Sequence, residues 1–175
     1  MKEIVQAIEN DSIAKLKSLL RNGLDLNEPI LIGEEYDLEE YDEISPLFYA
    51  IRSDASLEMI VFMLEEGVDL LWTDREGISA LDMAVKFRRK DMIRFCIDKG
   101  FDLNTTKRKS GITPVMLAAC FSDTDMMQML IDSGGDIALQ DSSGMNALDY
   151  ARKLGQKKMQ AFLEERGATH ALYKE

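Results

Sequence analysis

The chain has 175 residues, 46% of them hydrophobic and 30% charged, and carries a formal net charge of −11 at neutral pH. That length and apolar share suffice to bury a core, and the negative sign argues against general binding to nucleic acid. The N-terminus MKEIVQAIENDS lacks a signal-peptide apolar stretch, and no segment approaches the roughly 20 apolar residues of a spanning helix, so a soluble, cytoplasmic protein is expected.

In chain order, the first predicted element is the apolar-polar segment IVQAIENDSIAKLKSLLRNG, ending at Gly23. The segment EPILIGEEYDLEEYDEI follows, and residues 34–43 within it hold Glu34, Glu35, Asp37, Glu39, Glu40, Asp42 and Glu43 with Tyr36 and Tyr41 between them. Seven carboxylates in ten positions repel one another, so this stretch stays extended or takes a compensating charge from outside. It reads either as a solvated acidic loop or as an electrostatic arm with two aromatic anchors. A calcium loop is disfavoured because the Asp-x-Asp-x-Asp-Gly order is missing.

Beyond the insertion the chain repeats. Gly67, Gly100, Gly134 and Gly167 follow one another at 33, 34 and 33 residues, each closing an apolar run: FMLEEGVD, FCIDKGFD, MLIDSGGD and FLEERGAT. Gly23 precedes Gly67 by 44 residues, so the acidic segment adds 11 to one period. A fixed period near 33 marks a stacked-repeat architecture. Within each period a polar turn leads to a short helix beginning near Ser45-Pro46-Leu47, Ala80-Leu81, Thr113-Pro114 or Ala147-Leu148, followed by a second apolar helix that ends at the glycine. Ser or Thr before proline caps the first helix, and proline in its first turn gives up no needed hydrogen bond. Ala50, Ala84, Ala118 and Ala151 are small enough to let layers approach. The pairs Met63-Leu64, Cys96-Ile97, Leu130-Ile131 and Phe162-Leu163 are expected to build the core between repeats.

The charge is uneven. Residues 1–74 carry 18 acidic and 5 basic side chains, a net of −13, whereas residues 75–175 carry 14 acidic and 16 basic, a net of +2. An excess confined to one end creates a directional field that steers a basic partner.

The fullest period, Gly111-Ile112-Thr113-Pro114-Val115-Met116-Leu117-Ala118-Ala119 with Met129-Leu130-Ile131-Asp132-Ser133-Gly134, resembles the ankyrin repeat, as do the segments from Asp74 to Ala84 and from Asp141 to Ala151. The resemblance implies an all-α solenoid of helix-turn-helix units with short hairpin-like tips. The units fall at about 1–27, 44–73, 74–107, 108–140 and 141–168, with the insertion at 28–43 and a frayed tail at 169–175. The first and fifth units look like caps. Arg108 stands where the pattern has Asp, so that tip is expected to be looser or to present its charge.

The same resemblance implies a concave recognition face made of tips and first helices. It would place Tyr49, Arg52, Lys86, Phe87, Phe121 and Lys153 on that face and Trp72, Arg75 and Lys109 at the tips, beside the acidic residues of the insertion. Phe87 and Phe121 either face a partner or pack on the next repeat, and Trp72 either contacts a partner or folds back over the insertion.

No phosphate loop, nucleophile elbow or metal helix occurs, and no histidine is placed to activate Cys120. Two cysteines and one histidine offer no zinc-ligand spacing. The expectation is a non-enzymatic module without cofactor or metal, monomeric, and binding another protein with a basic surface rather than nucleic acid or membrane. An inhibitor or immunity-type protein is the sharpest form of that reading. A scaffold that recruits cellular or host proteins, and a salt-sensitive self-assembling protein, are the alternatives.

Overall fold

In a computed structural model the described residues are 2–32 and 42–172. The chain forms two compact units, Met1–Trp72 and Thr73–Glu175.

The first unit contains α1 (Lys2–Glu9), α2 (Ile13–Arg21), β1 (Ile30–Ile32), β2 (Asp42–Ile44), α3 (Pro46–Arg52) and α4 (Leu57–Glu65). Helix α1 packs on α2 and on α3, and α3 packs on α4. Ser45 and Ser56 cap α3 and α4, their hydroxyl oxygens accepting from the Phe48 and Met59 amides at 3.2 and 3.1 Å. Each such cap satisfies a helix-end donor and contributes about 1 kcal/mol. Asp11, in the turn between α1 and α2, accepts from the Ser56 amide at 3.0 Å and so fastens one repeat to the next.

The insertion begins and ends as a ribbon. Strands β1 and β2 pair antiparallel with Ile30 opposite Ile44, Leu31 opposite Glu43 and Ile32 opposite Asp42. Ile30 is buried and Glu43 exposed, so Ile30 anchors the base while Glu43 meets solvent. Residues 34–41, which carry most of the expected acidic arm, lie outside the described residues; Asp42 and Glu43 belong to β2 rather than to a loop.

The second unit contains α5 (Ala80–Lys86), α6 (Lys90–Asp98), α7 (Pro114–Ala119), α8 (Thr124–Asp132), α9 (Ala147–Lys153) and α10 (Lys157–Glu164). The first helices form one layer, α5 on α7 and α7 on α9, and each packs on its own second helix. Ala84, Ala118 and Ala151 are fully buried, where any larger side chain would push the layer apart.

Of each expected core pair only one member is fully buried: Met63, Cys96, Leu130 and Leu163. Their partners Leu64, Ile97, Ile131 and Phe162 are half-buried. Consecutive helical positions point about 100° apart, so both members of a pair cannot face one core. The true phase is 63, 96, 130, 163, at intervals of 33, 34 and 33.

The hairpin-like tips stack through backbone bonds. The Lys109 amide donates to the Glu76 carbonyl at 3.2 Å and the Ser142 amide to the Ser110 carbonyl at 3.1 Å. That approach explains Gly77, whose φ is +78° and whose Cβ, were there one, would lie 1.9 Å from the Lys107 carbonyl oxygen. No other residue fits there.

The segment expected to fray is held through Leu172. The fully buried Asp149 carboxylate accepts from the Ala171 and Leu172 amides at 3.1 and 3.0 Å, and His170 Nδ1 lies 2.8 Å from its other oxygen. Sequence composition predicts a loose tail because ATHAL has little to bury; the anchor is a carboxylate 21 to 23 residues upstream.

Candidate functional site

The tips of the second unit are built on aspartate where the sequence allows it. Asp74 Oδ1 accepts from the Glu76 and Ile78 amides at 2.9 and 2.8 Å. Asp141 Oδ1 does the same for the Ser143 and Met145 amides, both at 2.9 Å, and its other oxygen accepts from the Tyr150 hydroxyl at 2.5 Å. Burial pushes the Asp141 carboxyl up, but these donors outweigh it and hold it below the usual range. Arg108 occupies the equivalent place in the middle tip and cannot accept. There Thr106 Oγ1 takes the Arg108 amide at 3.0 Å and Ser110 Oγ the Ile112 amide at 3.4 Å. The tip is therefore closed by substitutes, not loosened. The Arg108 guanidinium turns inward, Nη1 3.6 Å from Asp82 Oδ1, so its charge is spent on the preceding repeat and not presented.

The residues expected to meet a partner divide sharply. Tyr49 is withdrawn from any contact surface: it is 8% exposed and its hydroxyl donates to Glu9 Oε1 at 2.6 Å. Its place on α3, between the buried Phe48 and Ala50, turns it toward α1. Arg52, at the end of α3, is exposed. Trp72 is 45% exposed and meets Phe48 edge-on with ring centroids 5.2 Å apart. Leu71 beside it is 63% exposed. A single exposed apolar side chain is ordinary on a protein surface, whereas adjoining ones mark a binding site more readily, and Leu71 and Trp72 are neighbours in the chain.

In the second unit Arg75 is exposed at a tip, and the Lys109 ammonium bonds Glu76 Oε1 at 3.0 Å on the neighbouring tip. Phe87 and Phe121 are half-buried at the ends of α5 and α7, a result between the two expectations. Lys86 is exposed with its ammonium 5.5 Å from the Phe87 ring centroid, and Lys153 is exposed at the end of α9. Leu154, 50% exposed, is a further surface apolar side chain that follows Phe121 at the repeat spacing. Its period was legible, but its exposure was not.

Burial pushes the Cys96 thiol up to about 12 and raises that of Cys120 as well, against the nearby charges of Arg108 and Lys153. Neither is an activated nucleophile, since reactivity requires the thiolate. Among the described residues no group of three or more His, Cys, Asp or Glu side chains could hold a metal ion, and no helix is long and apolar enough to cross a membrane.

A family model described as ankyrin repeats (many copies) matches residues 81–131, the stretch from α5 through α8. The chain carries ankyrin repeats. Among curated proteins this ankyrin-repeat chain is 29% identical over 162 residues to an L-asparaginase of Dirofilaria immitis, a match covering 93% of the chain and 25% of that protein. It is 34% identical over 108 residues to the E3 ubiquitin-protein ligase hecd-1 of Caenorhabditis elegans, covering 61% of the chain and 4% of the ligase. It is 26% identical over 139 residues to the NF-kappa-B inhibitor cactus of Drosophila yakuba, covering 78% of the chain and 28% of the inhibitor. The chain thus spans about a quarter or less of each relative. The matched repeats are a protein-protein interaction module of a generally non-enzymatic family.

Proposed function

We propose that the chain binds a basic protein through its first unit and blocks that partner's own interactions, acting as an inhibitor. The observation that carries this reading is the exposed pair Leu71 and Trp72, at 63% and 45% exposure, in the unit that also bears the acidic insertion. An apolar anchor supplies affinity, since tryptophan is enriched among binding hot spots. The carboxylates that the same unit carries in its sequence supply the encounter rate and select the sign of the partner. The name of cactus, an inhibitor with which the chain shares its repeats, favours inhibition over catalysis. The similarity to an L-asparaginase favours no enzymatic reading, because the chain spans 25% of that protein.

The test is association with a basic protein domain captured as its binding partner, measured at several salt concentrations. Neutralising the carboxylates of residues 34–43 to amides should lower the association rate and flatten its salt dependence, and Trp72→Ala should chiefly speed dissociation. An association rate indifferent to both salt and neutralisation would sink the electrostatic part of the proposal. Unchanged dissociation in Trp72→Ala would remove the anchor. A scaffold role, in which the insertion is incidental, predicts loss on alanine substitution of Phe87 and Phe121 instead. Self-assembly predicts a salt-sensitive rise in mass by light scattering.

A further inference from the structure

The tips of the second unit stack edge to edge, and the edge of the tip at residues 141–145 is open. The Glu76 carbonyl accepts from the Lys109 amide at 3.2 Å and the Ser110 carbonyl from the Ser142 amide at 3.1 Å, whereas the corresponding Ser143 carbonyl takes no backbone donor among the described residues. The glycines that follow these carbonyls differ in the same way. A Cβ on Gly77 would lie 1.9 Å from the Lys107 carbonyl oxygen and one on Gly111 2.9 Å from the Ser142 nitrogen, but among the described residues one on Gly144 would meet only Gln140 Oε1 of its own tip, at 3.9 Å. Ser143 and Gly144 therefore keep the form of a stacking edge with free space beside it.

The buried carboxylates repeat the pattern. Asp82 is met by Arg108 from the following tip, Nη1 3.6 Å from Oδ1. Two periods on, Asp149 is met instead by residues 169–172, through the Ala171 and Leu172 amides at 3.1 and 3.0 Å and His170 Nδ1 at 2.8 Å. Asn146 Nδ2 adds a bond to the Thr169 carbonyl at 2.7 Å. These residues stand where a following tip stands for Asp82. None of the four is buried, and Leu172 is 52% exposed. A segment with so little apolar burial opens locally at low free-energy cost.

We propose that this end of the second unit is a docking site for an arginine-bearing hairpin tip of a second polypeptide, and that residues 169–172 are a displaceable strap over its charged half. The incoming arginine pairs with Asp149 as Arg108 pairs with Asp82, and an amide of the incoming tip donates to the Ser143 carbonyl beside Gly144. Asp149 selects a cationic tip, because a buried carboxylate that loses one partner must gain another. While closed, the strap satisfies Asp149 itself and lowers the apparent affinity for the partner by the fraction of chains in which it is open. The site uses the edge by which tips stack, not the face formed by the first helices. It is independent of the first-unit reading above, so either can fail without the other.

The probe is a fluorescent synthetic peptide of this chain's own arginine-bearing tip, residues 105–114, TTKRKSGITP, closed into a ring by a cysteine added at each end. It is titrated into the full chain and into the full chain carrying Ala171→Pro with Leu172→Pro, which removes both amide donors of the strap and leaves Asp149 in place. Saturable binding is expected, about tenfold tighter in the proline variant. A probe with Arg108→Ala should bind at least tenfold more weakly to the same variant, a comparison that no damage to the fold can mimic because the protein is unchanged. In the full chain, saturating probe should strip the Ala171 and Leu172 amides of their protection from exchange. No binding to the proline variant overturns the proposal. So does equal binding of the Arg108→Ala probe, which removes the charge pairing, or equal affinity for the two forms of the chain, which removes the strap.

Discussion

The Arg108 guanidinium reaches back one repeat to the buried Asp82 carboxylate, its Nη1 3.6 Å from an Oδ1 that has no hydrogen-bond partner among the described residues. The other Asp82 oxygen is fully used, accepting from the Ser79 amide and hydroxyl at 2.9 and 2.7 Å at the start of α5. Arg108→Ala leaves a carboxylate at 5% side-chain exposure without its counter-charge. Stability should fall by about 1–3 kcal/mol, less than for a fully buried pair because the arginine is partly solvated. Lys107→Ala, one residue away and exposed, should stay within about 0.5 kcal/mol. Urea denaturation at constant slope measures both, and adding Asp82→Asn should recover part of the Arg108→Ala loss.

Two glycines of the same unit should respond differently to alanine. Gly100 has φ +89° with nothing within 4 Å of a built Cβ, so Gly100→Ala costs only the left-handed backbone penalty, about 1–2 kcal/mol. At Gly77 the added methyl collides with the Lys107 carbonyl oxygen at 1.9 Å, in addition to a positive φ. Gly77→Ala should cost more than about 3 kcal/mol. Thermal unfolding of the pair decides the matter, and equal losses would refute the close approach of the tips.

Tyr49→Phe separates core from contact. The variant keeps the ring and loses the hydroxyl bond to Glu9 that joins α3 to α1. Burial, and then that bond, push the Tyr49 hydroxyl above its ordinary pKa, so it stays a donor across the neutral range. A loss of about 1.5–3 kcal/mol in chemical denaturation is expected, as for hydrogen bonds to charged groups. Partner affinity measured well below the melting temperature should not change, which sets Tyr49 apart from Trp72.

Acid should release the segment 169–172. Burial pushes the Asp149 carboxyl up, but donation from Leu172, His170, Asn146 and Ala171 outweighs it and leaves the group below its ordinary value. A carboxyl whose folded pKa is depressed contributes stability above its unfolded pKa of about 4, and that contribution disappears as pH falls through the folded value. The amide of Leu172 should therefore stay protected from exchange at pH 6 and lose that protection only at a pH below the ordinary carboxyl range. Asp149→Asn should flatten that acid dependence and lower stability at neutral pH.

The repeat itself was legible because it rests on local chemistry. Ser45, Ser79 and Thr113 cap helices wherever they precede Pro or Ala at a turn, Gly23, Gly67, Gly100, Gly134 and Gly167 all take positive φ after a helix, and apolar residues recur at 33 or 34 positions. These preferences act within a few residues, so a linear reading finds them. The ribbon at the base of the insertion was missed because its acidic content outweighed the short apolar run Ile30 to Ile32 and the single Ile44. The candidate surface was legible only in part: the periods of Phe87, Phe121 and Leu154 are in the sequence, whereas the degree to which each meets solvent is not.

Sequence alone determined the repeat class, the place of the acidic insertion and the polarity of charge, since all three follow from composition and spacing along the chain. Tertiary structure alone decided that Tyr49 belongs to the core, that Arg108 serves Asp82, and that Asp149 holds residues 169–172. Each of these depends on a partner 21 or more residues away. Which of two charged or aromatic side chains is buried is settled by what the packed neighbour offers it, and that neighbour exists only once the layers have stacked.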